Sequence, residues 1–395
     1  MNYFTTSLIK NLFSNDHNLP LFEQAVNELF RSELEASIND ILEYELTSFL
    51  DFDRYDRNDS TNSRNGYYYR DLDTKYGRLH LKVPRDRLCQ FYSSLLPKYQ
   101  RRDSSTDQTI IDLYQAGLTN SDITTMIHKL CGASYSKQTV SNITNKVVTN
   151  IEAFHSRPLL KEYAVVYTDA TCMSLRRDTV CKEAIHIAIG ISVEGNKEIL
   201  GYSIAPNESS ETWKELLNSF KQRGLERISL ICTDGLQGME TAIQETFPEA
   251  KIQRCMVHAS RNISAKVRVA DRKTILDDFK EVYHSKTREE AISVLGCFKD
   301  KWKKRYPKVI QTLENNDYLF TYYDYPKEVR SSIYTTNLIE GFNKQIKRKY
   351  KAKEQFPTEE SMEKYLVMQF EQYNNKFMNR IHRGFGQTTR DQWFQ

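Results

Sequence analysis

A series of strand-length apolar segments between residues 163 and 257 constrains the fold of this chain more than any other feature. "YAVVYTDA", "EAIHIAIGISV" and "EILGYSIAP" read as three consecutive buried strands. A helical segment ending at Gly224 follows, and then come the strand "RISLICTDG", the helical "LQGMETAIQETF" and the strand "AKIQRCMV". Three strands followed by alternating helices and strands predict an α/β sheet of mixed strand direction.

Two of these strands are expected to end in an aspartate. Asp169 follows "YAVVYT", and Asp234 follows "SLICT" at a point where Gly235 allows a sharp turn. Strand ends of an α/β sheet face the crevice in which ligands bind, and two carboxylates held together raise each other's pKa unless a cation separates them. The pair therefore predicts a divalent cation site, and Mg²⁺ suits oxygen ligands best. For either residue alone, capping of the following helix is an equally good explanation.

The segments before this sheet differ sharply in charge. Residues 1–53 contain two basic and ten acidic residues, whereas residues 54–105 contain twelve basic and six acidic ones. The acidic part predicts an amphipathic helix over 20–50, with packing or self-association as its expected role. The basic part predicts an Asn/Asp/Ser-rich loop and then a strand, "RLHLKV", that ends at Pro84. Binding of a polyanion by this part alone explains the asymmetry, although a merely solvated basic face explains the strand equally well.

Residues 106–155 are predicted to form three short helices. The first ends at Gly117, the second is capped by Ser121 and ends at Gly132, and the third is capped by Ser136. This arrangement is typical of a helix-turn-helix DNA-binding unit, whose last helix presents polar side chains near its start. Small three-helix units also occur without any role in DNA binding.

The remaining sequence is helical in pattern and soluble in character. Residues 259–330 show no strand alternation, and residues 331–395 contain two further helices, the first with a very basic second half. No apolar run approaches the length of a membrane helix, and the N-terminus does not match a secretory signal. The seven scattered cysteines predict reduced thiols in a cytoplasm rather than a disulfide framework.

The order of these elements resembles the RNase H-like polynucleotidyl transferases, and more narrowly the bacterial Mutator-type insertion-sequence transposases. The matching stretches are "YTDATCMSLRRDTV", "SSETWKELLNSFKQRGL", "CTDGLQGMETAIQETFPEAKIQRCMVHASRN" and "YTTNLIEGFNKQIKR". "RNG", "VPRDR" and "LYQAGLTNSDI" fit as well, so the resemblance covers residues 60–395 in order. It implies an α/β fold, namely an RNase H-like mixed sheet with an all-helical insertion, preceded by helical and helix-turn-helix DNA-binding regions.

The resemblance and the sequence patterns together divide the chain into six segments. These are an acidic helical segment for oligomerisation (1–53), a basic strand and loop (54–105), the helix-turn-helix segment (106–155), the first part of the catalytic core (156–258), the helical insertion (259–330) and the C-terminal core helices (331–395).

The resemblance also implies a metal-binding triad of Asp169, Asp234 and Glu340, the last in "TTNLIEGFN". The triad would hold two Mg²⁺ ions, for which Mn²⁺ can substitute. Local sequence alone favours a different role, because Asn337 and Glu340 have the spacing of a capping box that folds Glu340 back onto its helix. The alternative third carboxylates are Glu354 and Glu359.

Cys255 and His258 have the spacing of half a zinc site. The second half is missing, because His284 and Cys297 each stand alone. We therefore expect His258 to act in catalysis by hydrogen-bonding a triad carboxylate or the scissile phosphate. A histidine satisfied inside the core is the alternative. Cys255 and Asn337 are expected to contact the metal-binding residues and hold them in place without binding the metal.

The implied function is a transposase that binds the terminal inverted repeats of its insertion sequence and cleaves and transfers DNA strands by Mg²⁺-dependent, two-metal phosphoryl transfer. Its partners would be double-stranded DNA, as repeats and as target, and at least a second copy of the chain. Such a protein would be cytoplasmic and nucleoid-associated, with no membrane partner. A catalytically inactive DNA-binding regulator and an RNase H-like nuclease without strand transfer are the alternatives. The expected DNA contacts are Arg64, Arg78, Lys82, Arg85, Arg87, Lys137, Gln138, Ser141, Asn142, Arg261, Lys344, Lys347, Arg348 and Lys349.

Overall fold

A computed structural model describes most of the chain. The described residues are 19–52, 62–74, 76–96, 104–131, 134–145, 148–235, 238–314 and 318–394. The predicted loop over 54–61 and the predicted helix stop at Gly132 lie outside these ranges. By its internal contacts the chain divides into two units, Met1–Lys146 and Val147–Gln395.

The first unit opens with a long helix packed on a β-hairpin. Helix α1 (Leu19–Leu50) confirms the helix predicted over 20–50. Strands β1 (Arg64–Thr74) and β2 (Gly77–Asp86) pair antiparallel, and β2 alternates between buried and exposed residues as predicted. A small core joins the helix to the hairpin because the buried face of β2 is apolar. Its members are Leu42, Leu72, Leu79, Leu81, Val83 and Leu96.

Two features of this hairpin differ from the sequence-based prediction. Pro84 does not end β2, because it pairs with Tyr67 and the strand continues to Asp86. A two-stranded ribbon consists only of edge strands, and an edge strand tolerates the missing N–H of proline. Strand β1 was not predicted, because its sequence "RNGYYYRDLDT" is mostly polar and aromatic, and most of it is exposed. Leu72 is the residue that gives it an apolar contact with the core.

Three helices follow in the first unit, α2 (Ser104–Gln115), α3 (Asn120–Cys131) and α4 (Lys137–Thr144). The predicted cap of α4 is confirmed, since the Ser136 side chain accepts a hydrogen bond from the backbone N–H of Thr139 at 3.1 Å. The predicted Ser121 cap of α3 is wrong. Thr119 caps this helix instead, because its hydroxyl accepts from the N–H of Asp122 while Asp122 accepts from the N–H of Thr119. This reciprocal pair is a capping box.

The second unit is built on a five-stranded sheet in the order β5-β4-β3-β6-β7. Strands β3, β6 and β7 are parallel to one another, whereas β4 is antiparallel to both of its neighbours. The predicted α/β sheet of mixed direction is therefore confirmed. The elements up to β7 are α5 (Val148–Ser156), β3 (Glu162–Arg176), β4 (Val180–Ile191), β5 (Lys197–Ala205), α6 (Ser210–Gln222), β6 (Arg227–Thr233), α7 (Met239–Thr246) and β7 (Lys251–Arg254).

The rest of the second unit is helical in the described ranges, as the pattern of 259–330 predicts. None of the described helices is long and apolar enough to cross a lipid bilayer. A short 3₁₀ helix, Thr321–Asp324, interrupts the α-helices. The α-helices are α8 (Met256–Ala265), α9 (Val269–His284), α10 (Arg288–Trp302), α11 (Pro307–Glu314), α12 (Lys327–Ile333), α13 (Asn337–Tyr350), α14 (Glu359–Phe377) and α15 (Arg390–Trp393).

Helices cover both faces of the sheet. Ala170 of β3 packs against the core that α6 and α7 form on one face, around Trp213, Phe220 and Ile243. Successive residues of a strand point to opposite faces. Asp169 accordingly points to the other face, where α13 contacts β3. The fold therefore brings a helix from beyond the helical insertion onto the central strand.

Candidate active site

Asp169 lies inside β3, so the strand end predicted at this residue is wrong. β3 continues to Arg176 because its antiparallel partner β4 pairs with it along this whole length. Its parallel partner β6 is paired with it only as far as Tyr167, opposite Cys232. Asp169 therefore lies two residues beyond the last pair that β3 forms with β6. Asp234 lies two residues beyond Cys232, so the two aspartates occupy corresponding positions on the neighbouring strands.

Asp234 directly follows the last residue of β6, as predicted. Gly235 has a φ of +87°, a left-handed conformation that favours glycine, so the backbone turns away immediately after the carboxylate. The strand end is anchored on its other side, because the carbonyl of Thr233 accepts a hydrogen bond of 2.8 Å from the N–H of Cys255. β6 thus presents Asp234 from a fixed base.

Glu340 reaches the same region from the first turn of α13, with 7% of its surface exposed. Its carboxylate contacts three basic side chains, Arg261 at 2.8 Å, His258 at 3.7 Å and Lys344 at 3.8 Å. The alternative capping box with Asn337 does not form, since α13 has no side-chain cap. Glu340 is therefore directed toward the sheet and not onto its own helix.

The two alternative third carboxylates lie in other surroundings. Glu359, at the start of α14, forms an ion pair with Arg177 at 2.8 Å. Glu354 is exposed and adopts a left-handed backbone conformation with a φ of +58°. Among the three candidates for the third position, Glu340 is the one whose charge acts on Asp169.

The electrostatics link the three predicted metal ligands. Burial raises the pKa of Asp169 to about 6, and the charges of Asp234 and Glu340 add to this rise, while a hydrogen bond from Asn343 opposes it. For Glu340 burial also acts upward, but Arg261, His258 and Lys344 outweigh it and hold the pKa below its ordinary value. Residues that are far apart in sequence therefore lie close enough to influence one another's ionisation.

Cys255 and His258 join the starts of two helices. The Cys255 side chain caps α8 by accepting from the N–H of His258 at 3.4 Å, and it also accepts from the N–H of Thr336 at 3.3 Å, just before α13. The His258 ring contacts the Thr336 hydroxyl through Nδ1 at 3.3 Å and faces Glu340 through Nε2. Hydrogen bonding to Cys255 and the nearby carboxylates raise the pKa of His258. Both residues therefore support the placement of Glu340.

The residues present suit an oxygen-ligated divalent cation. Two buried oxygens, Oε1 of Glu340 and Oδ1 of Asn343, have no hydrogen-bond partner among the described residues. A divalent cation would bind such oxygens and would favour the ionised form of Asp169, whose pKa is raised by burial and by the neighbouring carboxylates. The potential ligand atoms of Cys255, His258 and Glu340 also lie within 4.8 Å of one another. Zinc fits this second set less well, because the Cys255 sulfur already accepts two backbone hydrogen bonds.

Sequence reasoning missed two polar residues at this site. Asn343 of α13 donates a hydrogen bond from Nδ2 to Oδ2 of Asp169 at 2.9 Å. Its spacing of three from Glu340 on one helix could have signalled it. Glu208 precedes α6 and accepts from the indole of Trp213 at 3.4 Å. Partial burial and the charges of Asp234 and Asp169 raise the pKa of Glu208, a coupling across strands that local sequence does not reveal.

The candidate DNA contacts of the hairpin fall into two groups. Lys82, Arg85 and Arg87 are exposed on β2 or just after it. Lys82 lies over the ring of Tyr67 and Arg85 over that of Tyr68, at 6.0 and 5.9 Å from the ring centroids. The second group is engaged within the protein. Arg64 donates to Thr47 and to the carbonyl of Phe52, and Arg78 donates to Asp73.

The candidate contacts on α4 form one polar surface. Lys137, Gln138 and Asn142 are exposed, and Ser141 is half-buried. Gln138 and Asn142 are joined by a hydrogen bond of 2.9 Å between their side chains. The start of α4 and the hairpin line the same groove, of about 2190 Å³ including its open side. The first unit therefore brings the hairpin and the three-helix segment to a common surface.

The candidate contacts on α8 and α13 differ in availability. Lys344, Lys347 and Arg348 are exposed. The ammonium group of Lys349 donates hydrogen bonds to the side chains of Gln369 and Gln372 on α14, at 2.8 and 2.9 Å, and is therefore engaged within the protein. Arg261 is half exposed but forms the ion pair with Glu340. Asn337 is exposed at the first position of α13.

The second unit is a mixed α/β sheet in which Asp169, Asp234 and Glu340 lie close enough to influence one another's ionisation. Comparison with known proteins places the chain in a family. The family described as "Transposase, Mutator family" matches residues 6–380, so the chain belongs to the Mutator family of transposases.

Relatives found in the comparison are named as transposases of insertion sequences. The transposase for insertion sequence element IS905 of Lactococcus lactis is 46% identical over 98% of this chain and 97% of its own length. That for IS1201 of Lactobacillus helveticus is 44% identical over 94% of this chain and 100% of its own length. That for IS256 in transposon Tn4001 of Staphylococcus aureus is 29% identical over 85% of this chain and 87% of its own length.

Proposed function

We propose that this chain is the transposase of an insertion sequence, which binds the terminal inverted repeats of that element, cleaves DNA at its ends and joins them to new DNA. The convergence of Asp169, Asp234 and Glu340 in a member of the Mutator family is the observation that carries the proposal. These residues come from two strands and a helix that the helical insertion separates in sequence.

The second unit would be an RNase H-like core. Its three consecutive antiparallel strands, followed by parallel strands reached through helices, support this assignment. The helical segment 259–330 would then be an insertion between the second and third carboxylates. Helix α8, which leads into this segment, contributes His258 and Arg261, which contact Glu340. The insertion would therefore complete the site and not merely lengthen the chain.

Asp169, Asp234 and Glu340 would hold two Mg²⁺ ions, with Mn²⁺ as a substitute. When bound, such ions supply charge stabilisation for in-line displacement at a phosphodiester. The residues of the chain do the rest. Partial burial raises the pKa of Asp169, and Asn343 fixes one of its oxygens. Arg261 and Lys344 place positive charge beside Glu340, where the phosphate of the substrate would lie.

DNA would be bound mainly by the exposed basic residues. On the hairpin these are Lys82, Arg85 and Arg87, with tyrosine rings between them. Phosphate contacts of this kind position a protein on DNA, whereas base contacts provide specificity. Helices α3 and α4 would act as a helix-turn-helix, with Lys137, Gln138, Ser141 and Asn142 facing the bases of the inverted repeat.

Two structural findings refine the list of DNA contacts. Arg64 and Lys349 are bonded within the protein, so we assign them structural roles in holding α1 to the hairpin and α13 to α14. Lys344, Lys347 and Arg348 remain the candidates on α13. Helix α13 carries Glu340 at its start and these cations in its later turns, so it would contact the DNA phosphates next to the cleavage site.

Two transposon ends must be joined to one target, so we propose that the chain acts as a dimer or larger assembly. Exposed apolar side chains along α1 support this segment as the contact between copies. They are Leu29, Phe30, Ile41 and Phe49, each with at least 40% of its surface exposed.

The test is a joining assay with a labelled oligonucleotide of the inverted repeat that ends in a 3′-hydroxyl, a plasmid target and Mg²⁺. Joining by the wild-type chain, its loss in Asp169→Asn, and its retention in the exposed Asp178→Asn would support the proposal. Cutting without joining would instead identify a nuclease, and repeat binding without either reaction would identify a regulator. Each of these two outcomes would overturn the proposal.

A further inference from the structure

We propose that Asn343 is a fourth residue of the metal centre, whose amide nitrogen fixes Asp169 and whose amide oxygen binds a cation directly. This inference rests on the proposed function, because it assumes that Asp169, Asp234 and Glu340 hold the metal. It adds a neutral ligand to three charged ones, from the residue that ends the stretch "TTNLIEGFN" and to which the sequence analysis assigned no role.

The position of Asn343 on α13 supports this role. Asn343 follows Glu340 by three residues, and side chains three apart lie on the same face of a helix. Both are buried, with 5% and 7% of their surface exposed, whereas the neighbours Lys344 and Gln345 are exposed. One face of α13 therefore presents a carboxylate and a carboxamide side by side to the central strand.

The contact with Asp169 sets the orientation of the amide. Nδ2 of Asn343 donates to Oδ2 of Asp169 at 2.9 Å, and a carboxylate oxygen can accept only from the nitrogen end of a carboxamide. The amide group is thereby oriented, and its oxygen is directed away from Asp169. The same bond occupies one carboxylate oxygen of Asp169 and leaves the other for a cation.

The oxygen of this amide is the group that points to a ligand. Oδ1 of Asn343 is buried and has no hydrogen-bond partner among the described residues. Buried polar atoms without a partner are rare, because leaving one unpaired destabilises the fold. Oε1 of Glu340, one turn earlier, is also buried and accepts no hydrogen bond from the described residues, although Nε2 of His258 lies 3.7 Å from it. Carboxamide and carboxylate oxygens are both ligands of Mg²⁺ and Mn²⁺, so one ion would satisfy both atoms.

A role in packing alone does not account for this arrangement. An apolar side chain of similar volume would fill the space without leaving a buried acceptor unpaired. A purely donating role to Asp169 would leave Oδ1 unexplained. A purely donating role and a metal-binding role are separable by substitution, because aspartate keeps an oxygen at this position but has no N–H group to donate.

The experiment measures Mn²⁺ binding to the full-length chain by electron paramagnetic resonance, without DNA. Wild type is compared with Asn343→Ala, Asn343→Asp and the exposed-face control Gln345→Ala, after circular dichroism establishes that each is folded. Loss of a residue that supports a metal site typically costs 10- to 100-fold in affinity. We expect Asn343→Ala to weaken binding by about tenfold or more, Asn343→Asp to stay within about threefold of wild type or bind more tightly, and Gln345→Ala to match wild type.

Two results would overturn the inference. Wild-type affinity in Asn343→Ala would remove any role for this residue in metal binding, and equal weakening in Asn343→Asp and Asn343→Ala would exclude a ligand oxygen. Asp169→Ala separates this inference from the proposed function. If that variant loses Mn²⁺ while Asn343→Ala keeps it, the Asn343 inference fails alone. If the wild-type chain binds no Mn²⁺, the metal centre and the role of Asn343 fail together.

Discussion

The burial of Asp169 leads to the prediction that removing its charge stabilises the metal-free protein. The pKa of this carboxyl is about 6, against an ordinary value of 3.8, because burial and the charges of Asp234 and Glu340 disfavour ionisation. Each pKa unit corresponds to about 1.4 kcal/mol. The ionised side chain therefore costs the folded state up to about 3 kcal/mol at pH 7.5. Asp169→Asn removes this cost and can still accept from Asn343.

The sign of the pH dependence follows from linkage. Between pH 4 and 6 the folded chain holds a proton on Asp169 that the unfolded chain has released, so the free energy of unfolding falls as pH rises through this range. The gain from Asp169→Asn is therefore largest at pH 7.5, about half as large at pH 5, and absent below pH 4. A unit of this size gains about 2–4 °C in melting temperature per kcal/mol.

The assay is thermal unfolding with a chelator present, at pH 5 and 7.5, for wild type, Asp169→Asn and the exposed control Asp178→Asn. Mg²⁺ is then added. It should raise the melting temperature of wild type more than that of Asp169→Asn, because a cation stabilises the ionised carboxylate that only wild type carries at this position. A lower melting temperature of Asp169→Asn at pH 7.5, or a gain that does not depend on pH, would refute the electrostatic reasoning.

Three other predictions concern separate parts of the second unit. Arg261→Ala should lower DNA joining by at least about tenfold while changing DNA affinity less than about threefold, because Arg261 pairs with the buried carboxylate of Glu340. A loss of DNA affinity without a loss of joining would contradict this. Arg348→Ala should reduce the slope of the logarithm of DNA affinity against the logarithm of salt concentration by about one unit. Lys349→Ala breaks contacts with α14, so it should leave this slope unchanged and lower the melting temperature. Gly384→Ala should destabilise the fold by more than about 2 kcal/mol, because its φ is +88° and an added Cβ would clash with the backbone carbonyl oxygen of Glu328. An unchanged melting temperature would contradict this.

Local patterns in the sequence were sufficient to predict most helices and strands. The apolar runs of β3 to β7 and the periodicity of α1 and α13 depend on neighbouring residues, so they can be read without knowing the fold. The exceptions are elements in which a tertiary partner supplies the stabilisation. Strand β1, with its exposed tyrosines, is ordered by pairing with β2, and Pro84 is tolerated because that ribbon has only edges.

The sequence also predicted that Asp169 and Asp234 come together, because parallel neighbouring strands bring corresponding positions to the same level. It did not predict that β3 continues beyond Asp169, since that depends on how far β4 pairs with it. Local sequence favoured a capping box for Glu340, because of its spacing from Asn337, and only the family resemblance favoured a metal ligand. Contacts with His258 and Arg261, which lie 82 and 79 residues away in sequence, decide its direction.

What only the tertiary structure decided is which polar side chains are already engaged. Arg64 and Lys349 look like their basic neighbours in the sequence, but bonds to distant segments occupy them. Asn343 looks like an ordinary helix residue until the sheet places Asp169 within 2.9 Å of it. Local sequence determines which groups can ionise or form hydrogen bonds. Burial and partners from remote segments determine what those groups do, because a polar group removed from water must find its partner within the fold.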